Sequence, residues 1–354
     1  MVHDAMRHLD VARLGAAMRR LLLAMGTNEE EAGLVADHLV EANLCGHDSH
    51  GVGMVPEYGR AISAGDLRLG RPLRIDDGGR AILVCDADRG FGQVMAHRAM
   101  QVGIGRAQRD GIALVALRNS YHVGRIGHWA EQCAAAGLVS VHFVNVVSKP
   151  LVAPFGGTRP RLSTNPFAAG FPAADGRPPV IVDFATSRFA LGKVRVARNK
   201  GVAVPPGTLM DAAGRPTQDP SVMFAEPPGA LLPFGEHKGA ALALTCELMA
   251  AALAGAPVQA GPPPDTAIVN SMLSLIVDPQ AVGGRAAYLA AQTAVHDWIC
   301  SQNAEGGVDI MLPGEPERRI RAERLARGIP IDPATLAAVE ETARKAGIDN
   351  LLQV

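Results

Sequence analysis

The chain has 354 residues, 48% of them hydrophobic, with 34 Lys and Arg against 35 Asp and Glu. That length is more than one hydrophobic core usually takes, and the balanced charge offers no field to gather nucleic acid or an anionic membrane. Aromatic residues make up only 4% of the chain, which argues against base-stacking surfaces.

In chain order, the first lobe reads as helical. Leu14, Met18, Leu21 and Leu22 recur at helical spacing over residues 11–25, and Gly26 stops that helix. Thr27 and Glu30 have the spacing of a capping box. A second helix follows, with Leu34, Val35, His38, Leu39 and Ala42 on one side, and ends near Gly46. The middle alternates apolar strand-like runs at 81–85, 112–117, 138–147 and 180–184 with helical patterns at 92–108 and 126–136, which reads as α/β. Residues 153–179, rich in Gly and Pro, read as an ordered loop, and 198–235 as irregular. Then come a helix over 237–253, a strand over 268–277, a helix over 286–299 and a closing helix over 333–345. Pro262, Pro263 and Pro264 read as a rigid turn. The division expected is a helical lobe at 1–75, an α/β domain at 76–260, and a segment at 261–354 returning to the first lobe.

Cys45, Cys85, Cys133, Cys246 and Cys300 are widely spaced and form no CxxC pair, which points to a reducing compartment. The opening MVHDAMRHLD has no apolar signal-peptide core, and no apolar run reaches the roughly 18 residues of a membrane span. A cytoplasmic protein is expected. Rossmann-type dinucleotide binding needs GxGxxG directly after a strand, but Gly103-Ile104-Gly105 sits in a helical pattern and has Gln108 where the third Gly belongs. No P-loop or HExxH is present. His47 and His50 lie three apart with Asp48 between, yet close histidines are common without a metal, and none is expected.

Four polar clusters could carry chemistry. Asp48-Ser49-His50-Gly51 stands at a helix end, where a histidine suits proton transfer to a carbonyl oxygen and a plain capping turn is the alternative. Asn119 to Arg125 follows a strand and opens a helix, the place where α/β folds bind anions; His122 and Arg125 are three apart there. Asp183-Phe184-Ala185-Thr186-Ser187 is another polar strand end, where Asp183 could orient a histidine or cap a turn. Glu236-His237-Lys238-Gly239 starts a helix and suits a pyrophosphate, or is simply solvated. Leu312-Pro313-Gly314-Glu315 is a turn that means nothing alone.

Together the segments GHDSHGVGMVPEY, NSYHVGRIGHWAEQ, APFGGTRPRLSTNPFAAGFP, VDFATSRFALGKVRVARNKG and EHKGAALAL, in that order, resemble the malate/L-sulfolactate/ureidoglycolate dehydrogenase family, the type-2 malate/L-lactate dehydrogenases. The HDSHGVGM and HVGRIG variants and the LPGE turn resemble its hydroxycarboxylate dehydrogenase branch. The resemblance implies an L-sulfolactate dehydrogenase-like, non-Rossmann fold, a mixed sheet with flanking helices plus a helical lobe. It implies an NAD-dependent homodimer, with NADP possible, acting on small 2-oxo or 2-hydroxy acids, or on cyclic or N-alkyl imino acids. It implies that Ser49, His50 and Asp183 match a relay and His122 an acid/base, and that His50, Gly124, Arg125, Ile126, Asp183, Phe184, Ala185, Thr186, Ser187, His237, Lys238, Gly239, Asn270, Leu312, Pro313, Gly314 and Glu315 line the cofactor.

Many members of the family carry an Arg where this chain has Met54. The expectation is that Arg125 clamps the substrate carboxylate, unless it pairs with Glu131 or a phosphate, and that Met54 forms an apolar wall favouring bulky or aromatic 2-oxo acids. His50 held by Asp183 is the favoured acid/base, with His122 the alternative. A Ser49-His50-Asp183 hydrolase ranks lower, because adjacent residues rarely align as nucleophile and base and there is no GxSxG elbow. Arg195 and Arg198 could meet a 2′-phosphate or stay solvated.

Overall fold

A computed structural model describes residues 6–174, 176–261, 268–301 and 310–352, with the side chains of Asn199 and Lys200 left aside. The expected turn at Pro262-Pro263-Pro264 lies outside the described residues. The helix Val11–Ala24 begins where the Asp10 side chain accepts from Arg13 N, and it buries Leu14, Met18, Leu21 and Leu22. The next helix, Glu29–Leu44, is capped one residue later than its sequence suggests: Asn28, not Thr27, accepts from the main chain at Glu31. Thr27 is instead buried, with its hydroxyl unpartnered among the described residues.

These helices form one core with Val55–Ala64 and Pro333–Lys345, and the strand Arg7–Leu9 pairs antiparallel with Ile329–Ile331. The second core lies against a seven-stranded sheet in the order Arg74–Asp76, Ile82–Asp86, Ile112–Ser120, Val269–Val277, Val139–Val147, Phe167–Phe171, Val180–Phe184. Only Ile82–Asp86 and Ile112–Ser120 pair in parallel. The sheet is therefore mixed and not doubly wound, which accounts for the missing glycine fingerprint. Val269–Val277, assigned from sequence to a segment returning to the first lobe, lies in the middle of this sheet.

Two expectations are corrected, and one helix was not anticipated. The loop at 153–179 contains the strand Phe167–Phe171, whose Gly and Ala content hides it; Gly170 has no room for a side chain, since a Cβ would lie 2.5 Å from the Ala130 carbonyl oxygen. The irregular region 198–235 overlaps a helix, Leu191–Lys200, and a small sheet closing a third core around Val152, Val204 and Leu209. The turn at Leu312 to Glu315 opens the helix Glu315–Arg327, whose mostly charged residues give no apolar stripe to read. Among the described residues, no helix is long and apolar enough to cross a membrane.

Candidate active site

The Asp48 to Gly51 turn is built from its neighbours. Asn43, buried at the end of Glu29–Leu44, accepts from Val52 N at 2.9 Å and donates to Asp48 Oδ1 at 2.6 Å. Gly51 must lack a side chain, because a Cβ would sit 2.1 Å from Asn43 Oδ1. From the far end of the chain, Arg324 reaches both Asp48 carboxylate oxygens, at 2.6 and 3.1 Å. The turn is thus held from two sides, and it directs His50 at His122.

His122 comes from the loop after Ile112–Ser120. The start of helix Gly92–Asp110 packs directly on its main chain: a Cβ at Gly92 would lie 2.2 Å from the His122 carbonyl oxygen. His50 Nδ1 lies 3.1 Å from His122 Nε2, with the ring planes 8° apart. His122 Nδ1 lies 2.8 Å from the Tyr58 hydroxyl, which in turn accepts from Gln93 Nε2 at 2.7 Å. Both nitrogens of His122 are therefore engaged, and the residue is 7% exposed. His50 is half-buried and lines the cavity, and its Nε2 has no partner among the described residues. Burial pushes His122 from 6.5 to about 4. Burial, then the neighbouring His122, also pushes His50 down. Both imidazoles are neutral at pH 7, able to donate or accept a hydrogen bond according to tautomer.

The pair faces a cavity of about 940 Å³. It is lined by Ser49, Val52, Gly124, Arg125, Ile126, Asp183, Phe184, Ala185, Ser187 and Asn270, among others. Gly124, at φ +76°, packs against His38 so closely that a Cβ would meet Nε2 at 2.1 Å, and that nitrogen accepts from Arg125 N at 2.9 Å. Asn270 ties the loop to the sheet, accepting from Val123 N at 3.0 Å and donating to the Asn145 carbonyl at 3.2 Å.

Several expected contacts are not made. Asp183 does not reach His50, nor does it cap the turn that follows it; its Oδ2 accepts from Gly127 N at 2.9 Å and so caps the distant helix Gly127–Ala135. The place on His50 Nδ1 is taken by His122. Ser49 is bonded to neither His50 nor Asp183, so the three residues do not form a hydrolase triad. Arg125 is 1% exposed and its Nη2 pairs with Glu131. Its Nε and Nη1 nevertheless have no partner among the described residues. Met54 is absent from the described lining and packs against the helical core instead, although Val52 and Gly53 of the same short turn do line the cavity; the turn also leans on Pro333–Lys345.

The remaining cofactor candidates do not line the cavity. Thr186 is buried and its hydroxyl donates to the Thr164 carbonyl at 2.8 Å. His237 and Lys238 are exposed at the start of His237–Glu247, while Gly239 is buried against Phe234 and Thr186. At the other turn, the Pro313 carbonyl accepts from Ile181 N at 3.2 Å, and Pro316 and Glu317 of the following helix reach the cavity. Arg195 lines the cavity; Arg198 lies over the Phe224 ring, 4.6 Å from its centroid. Sequence reasoning missed Tyr58, Gln93 and Asn43. All three sit on the buried faces of helices, and only their polarity at core positions marks them.

A nicotinamide dinucleotide fits this lining. The cavity is of ligand size, and a buried guanidinium on its wall keeps two unpartnered donor nitrogens for an anionic oxygen. The chain also resembles known proteins along almost its whole length. Residues 9–340 match the family model described as malate/L-lactate dehydrogenase. Hydroxycarboxylate dehydrogenase B of Escherichia coli strain K12 is 47% identical over 96% of this chain and 94% of its own. The sulfolactate dehydrogenase of Methanocaldococcus jannaschii superposes with a TM-score of 0.87 at 30% identity, covering 97% of this chain and 98% of that one. The delta1-piperideine-2-carboxylate reductase of Pseudomonas syringae superposes with a TM-score of 0.81 at 32% identity, covering 95% and 100%.

Proposed function

The chain belongs to the malate/L-lactate dehydrogenase family, a family of oxidoreductases, and from that premise we propose that it interconverts 2-oxo acids and 2-hydroxy acids with a nicotinamide dinucleotide. The observation that carries this reading is His50 Nε2, free on the wall of a ligand-sized cavity and backed by His122. When bound, the nicotinamide would supply or accept the hydride at C2 of the substrate. His50 hydrogen-bonds the substrate oxygen, which in reduction gains a proton taken up from solvent by way of His50 and in oxidation returns it by the same route; His122 holds His50 and has no free nitrogen for substrate. Gly124, Arg125, Ile126, the strand end Asp183 to Ser187 and Asn270 would hold the dinucleotide, with the His237 to Gly239 and Leu312 to Glu315 turns at its margins. NAD is the expected form, and Arg195 is the side chain that could accommodate the 2′-phosphate of NADP.

The apolar wall expected from Met54 falls to Val52, Phe189, Val202 and Val204, which suit a bulky or aromatic side chain on the 2-oxo acid. Imino acids are the second reading, favoured by the structural likeness to a piperideine carboxylate reductase. A homodimer belongs to the same reading: Leu244, Leu248 and Leu253 are 51%, 52% and 64% exposed, apolar surface that a second copy would cover. The free thiols of all five cysteines suit the reducing cytoplasm.

The test is absorbance of NADH, then NADPH, with phenylpyruvate, pyruvate, oxaloacetate and a cyclic imino acid. Consumption with 2-oxo acids is expected. Consumption with the imino acid alone selects the second reading, and none with any substrate overturns both.

A further inference from the structure

The hydrogen bonds behind His50 form a directed chain, and its direction follows from counting donors. Gln93 is 1% exposed and Tyr58 fully buried, so neither can turn to water for a partner. Gln93 Nε2 donates one hydrogen to the Tyr58 hydroxyl, which leaves its second N–H and Oε1 without a partner among the described residues. Turning the amide over would leave both N–H donors unpartnered in place of one, the costlier of the two arrangements. With its oxygen accepting from Gln93, Tyr58 donates its own proton to His122 Nδ1, 2.8 Å away. His122 must then carry its hydrogen on Nε2 and donate to His50 Nδ1 at 3.1 Å. His50 is left with its hydrogen on Nε2, the nitrogen open to the cavity.

We propose that Tyr58, oriented by Gln93, is a positioning residue that fixes the tautomers of His122 and His50, so that His50 presents an N–H donor and not a lone pair to the substrate. This rests on the reading of His50 as the group that meets the substrate oxygen. It adds a polarity that the histidine pair alone lacks: two neutral imidazoles can share one hydrogen in either sense. The resting site is thereby matched to a carbonyl or imine nitrogen, which accepts, before it is matched to a hydroxyl, which must give a proton away. Reversing every bond in the chain would convert it to the oxidative polarity, at the expense of the Gln93 orientation. Burial pushes the Tyr58 phenol up, so Tyr58 stays protonated and directs the chain without ionising. The ring itself is fixed edge-on to Phe91 and Tyr121, at centroid distances of 5.4 and 6.0 Å.

The experiment is long-range proton–nitrogen NMR of the full-length protein labelled with ¹⁵N-histidine, at pH 7.5 and without substrate, alongside kinetics. His50 and His122 signals are assigned through His50→Ala and His122→Ala. Both residues are expected as Nε2–H tautomers. In Tyr58→Phe, which keeps the ring packing, His122 should become a mixture of tautomers. The reductive kcat should fall about tenfold, the worth of one net hydrogen bond, with KM for the 2-oxo acid nearly unchanged. Gln93→Met should shift the tautomers in the same sense and serves if Tyr58→Phe fails to fold. Wild-type His122 protonated at Nδ1, or unchanged tautomers and kcat in a folded Tyr58→Phe, overturns the proposal. Because the tautomers are read without substrate, expected spectra in a protein inactive toward every 2-oxo acid and imino acid would reject the functional reading and leave the positioning role standing.

Discussion

His50 and His122 lie 72 residues apart in the chain, yet their Nδ1 and Nε2 atoms are 3.1 Å apart and their rings nearly parallel. Only one of the two keeps a nitrogen for the cavity, and that asymmetry assigns their roles.

Removing His50 should therefore cost more than removing His122. His50→Ala should lower kcat for 2-oxo acid reduction by about 10²–10⁴, the usual worth of an acid–base group. His122→Ala should lose less, because His50 keeps its Nε2. Steady-state kinetics of the two variants decide the matter, and a larger kcat loss in His122→Ala with His50→Ala within a few-fold would reverse the assignment.

Asp183 makes the opposite prediction from a relay carboxylate. It accepts from Gly127 N at the start of Gly127–Ala135, so Asp183→Ala should cost about 1 kcal/mol of stability, as loss of a helix cap does. The tautomer of His50 should not change. Urea unfolding and histidine NMR of this variant check it. A shifted His50 signal with unaltered stability would restore the carboxylate to the histidine chain.

Arg125 and Glu131 form a pair in which one partner is almost wholly buried and the other is 35% exposed. Breaking a fully buried pair costs about 3–5 kcal/mol, and solvent at Glu131 should reduce that to about 2 kcal/mol for Glu131→Gln. Arg125→Met should in addition weaken anion binding, since two free donors leave with it. Fluorescence titration with NADH, set beside KM for the 2-oxo acid, tells which anion they serve. Wild-type values for both would leave the arginine with a purely structural role.

Acid should weaken the fold well before carboxylates titrate. Burial lowers His122 from 6.5 to about 4 and His142 from 6.5 to about 3. A lowered histidine pKa means that the unfolded chain takes up the proton first. Stability is full above pH 6.5 and lost as pH falls from there toward the folded value. At roughly 1.4 kcal/mol per pH unit, each group should cost about 2 kcal/mol at pH 5. His142, held between the Ser140 and Ser274 hydroxyls in the sheet, is far enough from the cavity chemistry to test alone. His142→Asn should flatten the urea midpoint between pH 7 and 5. An identical slope would remove His142 from the account.

Much of this was legible in the residues. Period-3.6 patterns located the long helices, and short apolar runs located the central strands, because burial leaves that trace directly. The polar strand ends at Asn119 to Arg125 and Asp183 to Ser187, and the turn at Asp48 to Gly51, do meet around one cavity. What could not be read was pairing. Whether Asp183 reaches a histidine or a helix start depends on a register set by the whole sheet, and both partners suit a carboxylate. Met54 failed as a wall for a similar reason: an apolar residue beside a polar motif can face either way, and here the helical core claims it. Tyr58 and Gln93 sit among core positions on amphipathic helices, where a polar residue reads as noise until its partner is known.

Arg324 grips Asp48 across 276 residues of chain, and Ile329–Ile331 completes a ribbon with Arg7–Leu9. The turn that carries His50 is thus fastened by a segment synthesised long after it. A chain still on the ribosome could already pack its first helices and most of its sheet, yet would hold His50 on an unlatched turn. Closing so long a loop is slow and carries a large entropic cost. In refolding, helical signal should therefore return before catalytic competence, and clipping the chain ahead of Glu315 should silence the enzyme while sparing much of its structure.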